Sequence, residues 1–184
     1  KVTQGSLFVA VKGYASDGHS FIATAVKKGA AVIVCEDMEA AKIQLAEAGE
    51  AADGVAVVKA ESSRHALAII AANFYDNPSH KLTLVGITGT NGKTTTVTLL
   101  HRMFTAMGYN CGLLSTIANY VGTKGTEAVN TTSDPITINS LMNEMVEAGC
   151  GYCFMEVSSI GVEQERVAGL KFKAGIFSNL THDH

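Results

Sequence analysis

The sequence contains no tryptophan, only two prolines and no long uninterrupted apolar run. A membrane-spanning helix needs about 20 consecutive apolar residues, so the sequence predicts no membrane insertion. Its first residues also lack the apolar core of a secretory signal, and we therefore expect a cytoplasmic protein. Lysine and arginine form no cluster, and the formal net charge is −3. Charge therefore gives no reason to expect nucleic acid or a membrane surface as a partner.

Cysteine is scarce, with four residues at Cys35, Cys111, Cys150 and Cys153. Each lies in or beside an apolar segment, which is typical of reduced, buried thiols. Cys150 and Cys153 form a Cys-x-x-Cys pair, and such a pair can also mark a redox or zinc site. No second pair and no histidine lies at zinc spacing, so we expect core thiols instead.

The first half of the chain alternates between short apolar runs and helical periodicities. Strands are predicted at 7–11, 31–34 and 55–58, and helices at 21–28, 39–48 and 62–75. This order is typical of a mainly parallel sheet with helices packed on it. Pro78 lies in a turn-rich segment that ends this pattern. We therefore expect two domains, a small N-terminal α/β domain at 1–79 and a second domain at 80–184.

The second half predicts another α/β unit, with a P-loop, Rossmann-like, mainly parallel sheet. Strands are expected at 82–87, 111–115, 152–157 and 174–177, a hairpin tip at 122–125, a helix at 136–148 and a polar helix-like run at 162–170. Asp134 and Pro135 precede the helix at 136–148, as is typical of helix starts. Because function-bearing loops lie at the carboxyl ends of such strands, a chain that stops at 184 is expected to be a fragment.

The most informative segment is 86–96, which joins an apolar strand to a helix through a glycine-rich loop. Gly89 and Gly92 let the backbone approach an anion, and the helix that follows adds the positive end of its dipole. Lys93 supplies a charge for outer phosphates, and Thr94 a hydroxyl for a magnesium ion. Ile87 stands where the strict phosphate-loop motif has glycine, so the loop is a variant. The alternative is a glycine-rich turn with a surface lysine.

Other polar residues are predicted at the same carboxyl edge of the sheet. Glu156 ends a buried strand and could hold magnesium, although a helix-capping or salt-bridged acid is the alternative. His182 and His184 follow the last strand and could ligate a metal or lie in a solvated loop end. The segment 130–132, Asn-Thr-Thr, could bind a sugar or phosphate, or simply cap a helix.

Together these segments resemble the Mur ligases of peptidoglycan synthesis, closest to the members that add the third peptide residue. The resemblance rests on 86–96, 130–132, Met-Glu-Val-Ser-Ser at 155–159 and 177–184, and on Gly-Ser-Leu-Phe-Val-Ala at 5–10 with Asp-Gly-His-Ser-Phe-Ile at 17–22. It covers essentially the whole chain. It implies an N-terminal domain that binds a UDP-sugar and a central domain that binds ATP.

The resemblance implies an ATP-dependent ligase that uses Mg2+ and forms an amide bond through an acyl phosphate. Its partners would be UDP-N-acetylmuramoyl-L-Ala-D-Glu and a diamino acid, either diaminopimelate or lysine. Lys93, Glu156 and His184 would be catalytic, and Thr94, Glu156 and His184 would serve the metal. ATP would be bound by Thr88, Gly89, Thr90, Asn91, Gly92, Lys93, Thr94 and Thr95. The sugar-peptide substrate would be bound by Tyr14, Ala15, Ser16, Asn130, Thr131, Thr132, Ser158, Gln164 and Arg166.

Some features depart from the family pattern. Ile160 stands where the family usually has histidine after the paired serines. An Asp-Ser-Arg segment, a carbamylated lysine and the C-terminal domain that binds the amino acid are expected outside this chain, so the fragment alone should not turn over. Two alternatives stay open: a sibling ligase of the D-Ala-D-Ala-adding or cyanophycin-synthetase type, and a non-catalytic P-loop module.

Overall fold

The computed structural model describes residues 2–14 and 16–181. The chain divides into two compact units, Lys1–Leu67 and Ala68–His184. The domain boundary expected after residue 79 stays a prediction. The site assignments made for Ala15, His182 and His184 lie outside the described residues.

The first unit is built on a three-stranded parallel sheet in the order β1-β2-β3. Its elements are β1 (Ser6–Val9), α1 (Ile22–Lys27), β2 (Ala30–Cys35), α2 (Met38–Ala48), β3 (Ala56–Lys59) and the start of α3 (Ser63–Phe74). Short 3-10 helices at Gly18–Phe21 and Gly49–Ala52 precede α1 and follow α2. The predicted order of strands and helices is confirmed, with most ends displaced by one or two residues.

Local sequence explains where α2 begins. The Asp37 carboxylate accepts hydrogen bonds from the N–H groups of Glu39 and Ala40 at 2.9 and 3.0 Å, which satisfies two otherwise unpaired donors of the first turn.

The buried core of this unit consists mainly of aliphatic side chains from α1, β2 and α2, among them Ile22 and Ile33, which are fully inaccessible.

The second unit contains a six-stranded sheet in the order β7-β6-β5-β8-β4-β9. The strands are β4 (Thr83–Thr88), β5 (Cys111–Leu114), β6 (Ala118–Val121), β7 (Lys124–Glu127), β8 (Tyr152–Glu156) and β9 (Ala174–Phe177). Strands β5, β8, β4 and β9 are parallel, whereas β6 and β7 form the predicted antiparallel hairpin. The mainly parallel α/β fold expected from the sequence is therefore confirmed.

Two long helices cover this sheet, α4 (Lys93–Ala106) and α5 (Pro135–Glu147). One core cluster joins α4 to the sheet and includes Val97 and Phe154, and the other joins α5 to it and includes Met142 and Met155. Successive residues of a strand point to opposite faces. Glu156 has the same parity as Phe154, so its side chain lies on the α4 side of the sheet.

Strand register sets which residues meet at the carboxyl edge. Ile87 of β4 pairs with Glu156 of β8, and Thr88 pairs with Phe177 of β9. Leu114 of β5 pairs with Met155, so Thr116, two residues further on, lies near the level of Glu156 along the sheet. Groups far apart in sequence therefore end at one level, directly beside the start of α4.

The expectation of a helix-like run at 162–170 was wrong in its extent. The helix α6 is Ser159–Glu163, begun by the Ser158 side chain, whose oxygen accepts from the Gly161 N–H. Turns follow on the way to β9, because Glu165 takes a positive φ of 55° that does not continue a helix.

A 3-10 helix at Pro78–His80 precedes β4. Within 2–14 and 16–181, no helix combines the length and apolarity needed to cross a bilayer.

Candidate functional site

The phosphate loop joins β4 to α4 and depends on two glycines. Gly89 and Gly92 have φ values of +129° and +86°, which side chains of other residues rarely tolerate. At Gly89, a Cβ atom would also lie 2.8 Å from the carbonyl oxygen of Asn179. The loop therefore requires glycine at these positions for its backbone path, independently of any ligand.

The start of α4 differs chemically from the start of α5. Asp134 caps α5 through its carboxylate, whereas Gly92 at the start of α4 provides no side-chain cap. The first N–H groups of an α-helix have no partner within the helix. In α4 the N–H groups without a helical partner include those of Lys93, Thr94 and Thr95. They lie at the end of the loop, where the positive end of the helix dipole also lies. This arrangement suits a phosphate group.

Lys93 places its charge at the loop. Its Nζ donates hydrogen bonds to the carbonyl oxygens of Gly89 at 2.6 Å and Thr90 at 2.9 Å. The side chain is half-buried against the backbone that it spans. The ammonium group and the unpaired amides of the first turn thus form one compact positive region.

Residues 178–181 belong to segment 177–184, on which the family resemblance partly rests, and they form a strap across the phosphate loop. Asn179 accepts from the Thr90 N–H through its backbone carbonyl at 3.0 Å and from the Asn91 N–H through Oδ1 at 2.9 Å. Ser178 Oγ donates to the Asn91 carbonyl at 2.7 Å. Two amides of the loop are therefore occupied by Asn179, which leaves the amides at the start of α4 for an anion.

Glu156 is fully buried at the end of β8, and its carboxylate faces α4. Oε2 accepts from the Thr94 hydroxyl at 3.0 Å and from the Thr116 hydroxyl at 3.1 Å, and Oε1 accepts from the Thr116 N–H at 2.9 Å. Within the described part of the chain no basic side chain forms an ion pair with it. Among residues 2–14 and 16–181, Glu156 therefore forms neither a helix-cap contact nor an ion pair.

The Glu156 carboxylate and the Thr94 hydroxyl fit a magnesium ion. A buried carboxylate without a counter-charge is costly, and a divalent cation would supply the missing positive charge. Mg2+ prefers hard oxygen ligands and commonly takes only one or two from protein, with water and phosphate completing its shell. Residues 2–14 and 16–181 contain no cluster of three or more histidine, cysteine or acidic side chains that could hold a metal ion.

A polar cluster adjoins Glu156 on the side of the candidate substrate residues. Thr132 is buried, and its hydroxyl donates to the Glu156 carbonyl at 3.1 Å while accepting from the Ser158 N–H at 3.0 Å. Arg166 donates from Nη1 to the Thr132 carbonyl at 2.6 Å and from Nη2 to Gln164 Oε1 at 2.6 Å. The structure thus brings together four of the residues carried over from the family resemblance.

Thr131 and Asn130 complete this segment at its surface. The Thr131 hydroxyl lies 3.1 Å from that of Thr116, and Asn130 is exposed. A cavity of about 580 Å³ connects the phosphate loop to this segment. It is lined by Thr88, Gly89, Thr90, Lys93, Thr131, Ser158, Ser159, Ile160, Phe177, Leu180 and Thr181. Ile160 therefore faces the same cavity as the loop.

In the first unit, Tyr14 and Ser16 of the predicted contact segment are exposed. The Tyr14 side chain is 73% accessible, and its ring packs against the Arg64 guanidinium, whose carbon lies 4.9 Å from the ring centroid. The Ser16 carbonyl accepts from the Gly13 N–H at 3.0 Å, which closes a tight turn. An aromatic ring and an arginine beside this solvent-exposed turn are suitable for contact with a nucleotide.

Beside this turn, His19 is buried and joins two segments of the unit. Its Nδ1 lies 2.6 Å from the Asp17 carboxylate, and its Nε2 accepts from the N–H groups of Glu36 and Asp37 at 3.1 Å each. Hydrogen bonds from His19 lower the pKa of the Asp17 carboxyl. Hydrogen bonds from the Ser63 hydroxyl and N–H lower the pKa of Glu36. These contacts join segment 17–19 to the residues after β2 and, through Glu36, to Ser63 at the start of α3.

All four cysteines are buried free thiols, as the sequence predicted. Burial raises the pKa of Cys153, and the neighbouring Cys150 and Cys111 raise it further. A raised pKa disfavours the thiolate that redox chemistry and metal binding require. Cys150 and Cys153 both belong to the buried cluster that packs against α5, so the pair is part of the core.

The fold and the loop define a P-loop nucleotide-binding domain of the α/β class, preceded by a smaller parallel α/β unit. Comparison with protein families then identifies the class. Residues 87–184 match the Mur ligase middle domain, and residues 1–75 match the Mur ligase family catalytic domain. The chain belongs to the Mur ligase family, and the resemblance inferred from its sequence is confirmed.

Curated relatives extend this result. The chain is 54% identical over 184 residues to a UDP-N-acetylmuramoyl-L-alanyl-D-glutamate--2,6-diaminopimelate ligase of Cytophaga hutchinsonii, and 50% identical to the same-named ligase of Parabacteroides distasonis. Each match covers 100% of this chain and 36% of the relative. The chain therefore spans about a third of the length of these ligases.

Solved structures agree on the fold. A structure of a UDP-N-acetylmuramoyl-L-alanyl-D-glutamate--2,6-diaminopimelate ligase matches over 100% of this chain and 35% of its own, with TM-score 0.78 at 24% identity. A MurF ligase from Thermotoga maritima in complex with ADP matches over 86% of this chain and 30% of its own, with TM-score 0.52 at 28% identity. The second neighbour supports nucleotide binding by members of this family.

Proposed function

We propose that this chain is the nucleotide-binding part of a ligase that adds 2,6-diaminopimelate to UDP-N-acetylmuramoyl-L-Ala-D-Glu at the expense of ATP. The single observation that carries the proposal is the Thr94–Glu156 contact of 3.0 Å at the start of an uncapped helix. The names of the relatives from Cytophaga hutchinsonii and Parabacteroides distasonis support diaminopimelate over lysine as the added amino acid. We place the reaction in the cytoplasm, where ATP is available.

The reaction requires activation, because a carboxylate and an amine do not condense unaided in water. A carboxylate oxygen of the D-Glu residue attacks the γ-phosphorus of ATP, and the bond from that phosphorus to ADP breaks. The amine of diaminopimelate then attacks the carbonyl carbon of the acyl phosphate, and inorganic phosphate leaves as the amide forms. Phosphoryl transfer depends mainly on positioning and on neutralising charge.

The residues of the second unit match these demands. The first amides of α4 and Lys93 would bind the β- and γ-phosphates and neutralise charge as it develops. Thr94 and Glu156 would hold Mg2+, with His184 as the further ligand suggested by the family resemblance. When bound, Mg2+ would offset the negative charge of the phosphate groups. Asn179 would fix the path of the loop through its contacts with the Thr90 and Asn91 N–H groups.

The polar cluster beside Glu156 would bind the muramoyl peptide. Arg166 presents a guanidinium whose planar fork suits carboxylate or phosphate, and Gln164 orients it. Asn130, Thr131, Thr132 and Ser158 would contribute hydroxyl and amide groups to the same substrate. In the first unit, Tyr14, Ala15 and Ser16 would contact the uridine nucleotide. These residue roles are part of the proposal.

Calorimetric titration of the 184-residue chain tests the proposal against its alternatives. The ligase proposed here should bind ATP with Mg2+ and should bind UDP-N-acetylmuramoyl-L-Ala-D-Glu in preference to the corresponding tripeptide nucleotide. Preference for the tripeptide would favour the D-Ala-D-Ala-adding sibling. Binding of ATP without either sugar nucleotide would favour a non-catalytic P-loop module and would overturn the proposal.

A further inference from the structure

Thr116 belongs to none of the motifs that the sequence analysis identified, yet it makes two of the three contacts to the buried carboxylate. We propose that Thr116 is a positioning residue, which fixes the Glu156 carboxylate for a divalent cation and links it to Thr131 of the candidate substrate segment. The inference rests on the proposed function, because it concerns the same metal site.

The contacts of Thr116 determine the orientation of the carboxylate plane. Its N–H donates to Oε1 at 2.9 Å and its hydroxyl donates to Oε2 at 3.1 Å, so one residue holds both oxygens. The Thr94 hydroxyl donates to the same Oε2 at 3.0 Å. A carboxylate held at both oxygens cannot rotate about its terminal bond without losing a hydrogen bond to a charged group, which is a strong interaction.

The position of Thr116 in the fold explains why it can hydrogen-bond both carboxylate oxygens of Glu156. It follows β5 at the carboxyl edge of the sheet, beside β8, which ends at Glu156. Thr116 itself is exposed to solvent, whereas Glu156 is inaccessible. The threonine therefore stands between the buried carboxylate and the outside of the site, and its substitution removes no part of the hydrophobic core.

A second contact connects Thr116 to the substrate segment. Its hydroxyl oxygen lies 3.1 Å from that of Thr131. A hydroxyl carries one proton. The Thr116 hydroxyl is the donor in both of its contacts, so its single proton is shared between Glu156 Oε2 and the Thr131 oxygen. The Thr132 hydroxyl donates to the backbone carbonyl of Glu156 at 3.1 Å. One of two adjacent residues therefore contacts the Glu156 backbone, and the other contacts Thr116, which holds the Glu156 side chain.

The experiment compares nucleotide affinity of the 184-residue chain with Mg2+ and with EDTA. We define the magnesium gain as the dissociation constant for ATP in EDTA divided by the dissociation constant for ATP with Mg2+. Thr116→Val removes the hydroxyl but keeps the backbone N–H and the shape, so the gain should fall about tenfold while the affinity in EDTA is unchanged. Thr116→Ser restores the hydroxyl and should keep the gain within about twofold of wild type. Thr126→Val on the exposed strand β7 is the matched control and should change neither quantity.

Glu156→Gln separates failure of this inference from failure of the proposed function. If wild type has no magnesium gain, or if Glu156→Gln keeps it, the metal site and the proposed function both fail. If Glu156→Gln loses the gain and Thr116→Val keeps it, the role of Thr116 is overturned and the proposed function stands. An equal loss with Mg2+ and with EDTA in Thr116→Val would also overturn the inference, because Thr116 would then support the fold generally.

A double-mutant cycle tests the link to Thr131. Thr131→Val removes the acceptor that competes with Glu156 for the Thr116 proton, so the magnesium gain should rise by about two- to threefold in the wild-type background. The same substitution should have no effect in Thr116→Val. An equal change in both backgrounds would overturn the link between the two hydroxyl groups.

Discussion

The hydroxyl of Thr94 lies 3.0 Å from Oε2 of Glu156, although 62 positions separate the two residues in sequence. Parallel pairing of β4 with β8 sets Ile87 level with Glu156, and strand alternation turns the carboxylate toward the helix that starts at Lys93. The contact joins the phosphate loop to the one buried acid of the second unit's described residues. Both halves of the candidate site therefore depend on a single strand register.

Replacing Lys93 by methionine should weaken ATP binding strongly. The substitution removes a charge and the two hydrogen bonds to Gly89 and Thr90, and hydrogen bonds from charged groups contribute about 1.5–3 kcal/mol. We expect the dissociation constant for ATP, measured by calorimetry, to rise by about tenfold or more. Lys93→Arg keeps the positive charge but replaces a compact ammonium group with a planar guanidinium. Its affinity for ATP should therefore lie between those of Lys93→Met and wild type. Unchanged affinity in Lys93→Met would contradict the role of the loop.

Gly89→Ala should destabilise the second unit. Its φ of +129° is strained for alanine, and the new Cβ would crowd Ser178 and the backbone of Asn179. We expect the free energy of unfolding to fall by about 1–3 kcal/mol in urea titrations, with a parallel loss of ATP affinity. Gly175→Ala on β9 is the matched control, because a Cβ atom added there would have no neighbouring atom within 4 Å. A similar loss in both variants would refute the close approach at Gly89.

Stability of the first unit should depend on pH through Glu36. The Ser63 hydroxyl and then its N–H, at 2.6 and 2.7 Å, lower the pKa of Glu36 below its ordinary value of 4.5. Because the folded pKa is the lower one, this stabilisation is present above pH 4.5 and is lost as the pH falls through the folded value. Glu36→Gln should therefore cost about 1 kcal/mol near neutral pH and progressively less in acid.

Urea unfolding followed from about pH 7 to about pH 3 measures this difference between wild type and Glu36→Gln. Ser63→Ala removes the main cause of the lowered pKa and should reduce the same pH dependence. A difference between wild type and Glu36→Gln that does not shrink in acid would argue against the assigned cause.

Arg166→Lys should weaken binding of the sugar-peptide nucleotide with little effect on ATP. Arg166 donates to the Thr132 carbonyl and, through Nε and Nη2, to Gln164 at 3.0 and 2.6 Å. Lysine keeps the charge but loses this planar fork. We expect the dissociation constant for UDP-N-acetylmuramoyl-L-Ala-D-Glu to rise about tenfold in calorimetry. Arg102→Lys, at an exposed position of α4, is the control, and equal effects would count against the assignment.

The sequence predicted the elements with clear periodicity and the residues with recognisable chemistry. The phosphate loop with Lys93 and Thr94, the end of β8 at Glu156 and the hairpin of β6 and β7 all followed from local patterns. The strap residues Ser178 and Asn179 and the positioning residue Thr116 did not. Serine, threonine and asparagine at strand ends are common in any α/β protein, so their type and spacing carry no signal. For Ser178 and Asn179 the resemblance of segment 177–184 marked the segment but not its contacts with the loop, and for Thr116 the only clue was its place after a predicted strand.

The sequence by itself determined the class of fold, the nucleotide loop and the family, because these depend on local hydrophobic period, glycine placement and short motifs. The tertiary structure decided which polar groups meet. Register between β4, β5, β8 and β9 brings Thr94, Thr116 and Glu156 to one level and lays Asn179 across the loop. Pairing between strands far apart in the chain arises from packing of whole sheets and helices, which no local segment specifies.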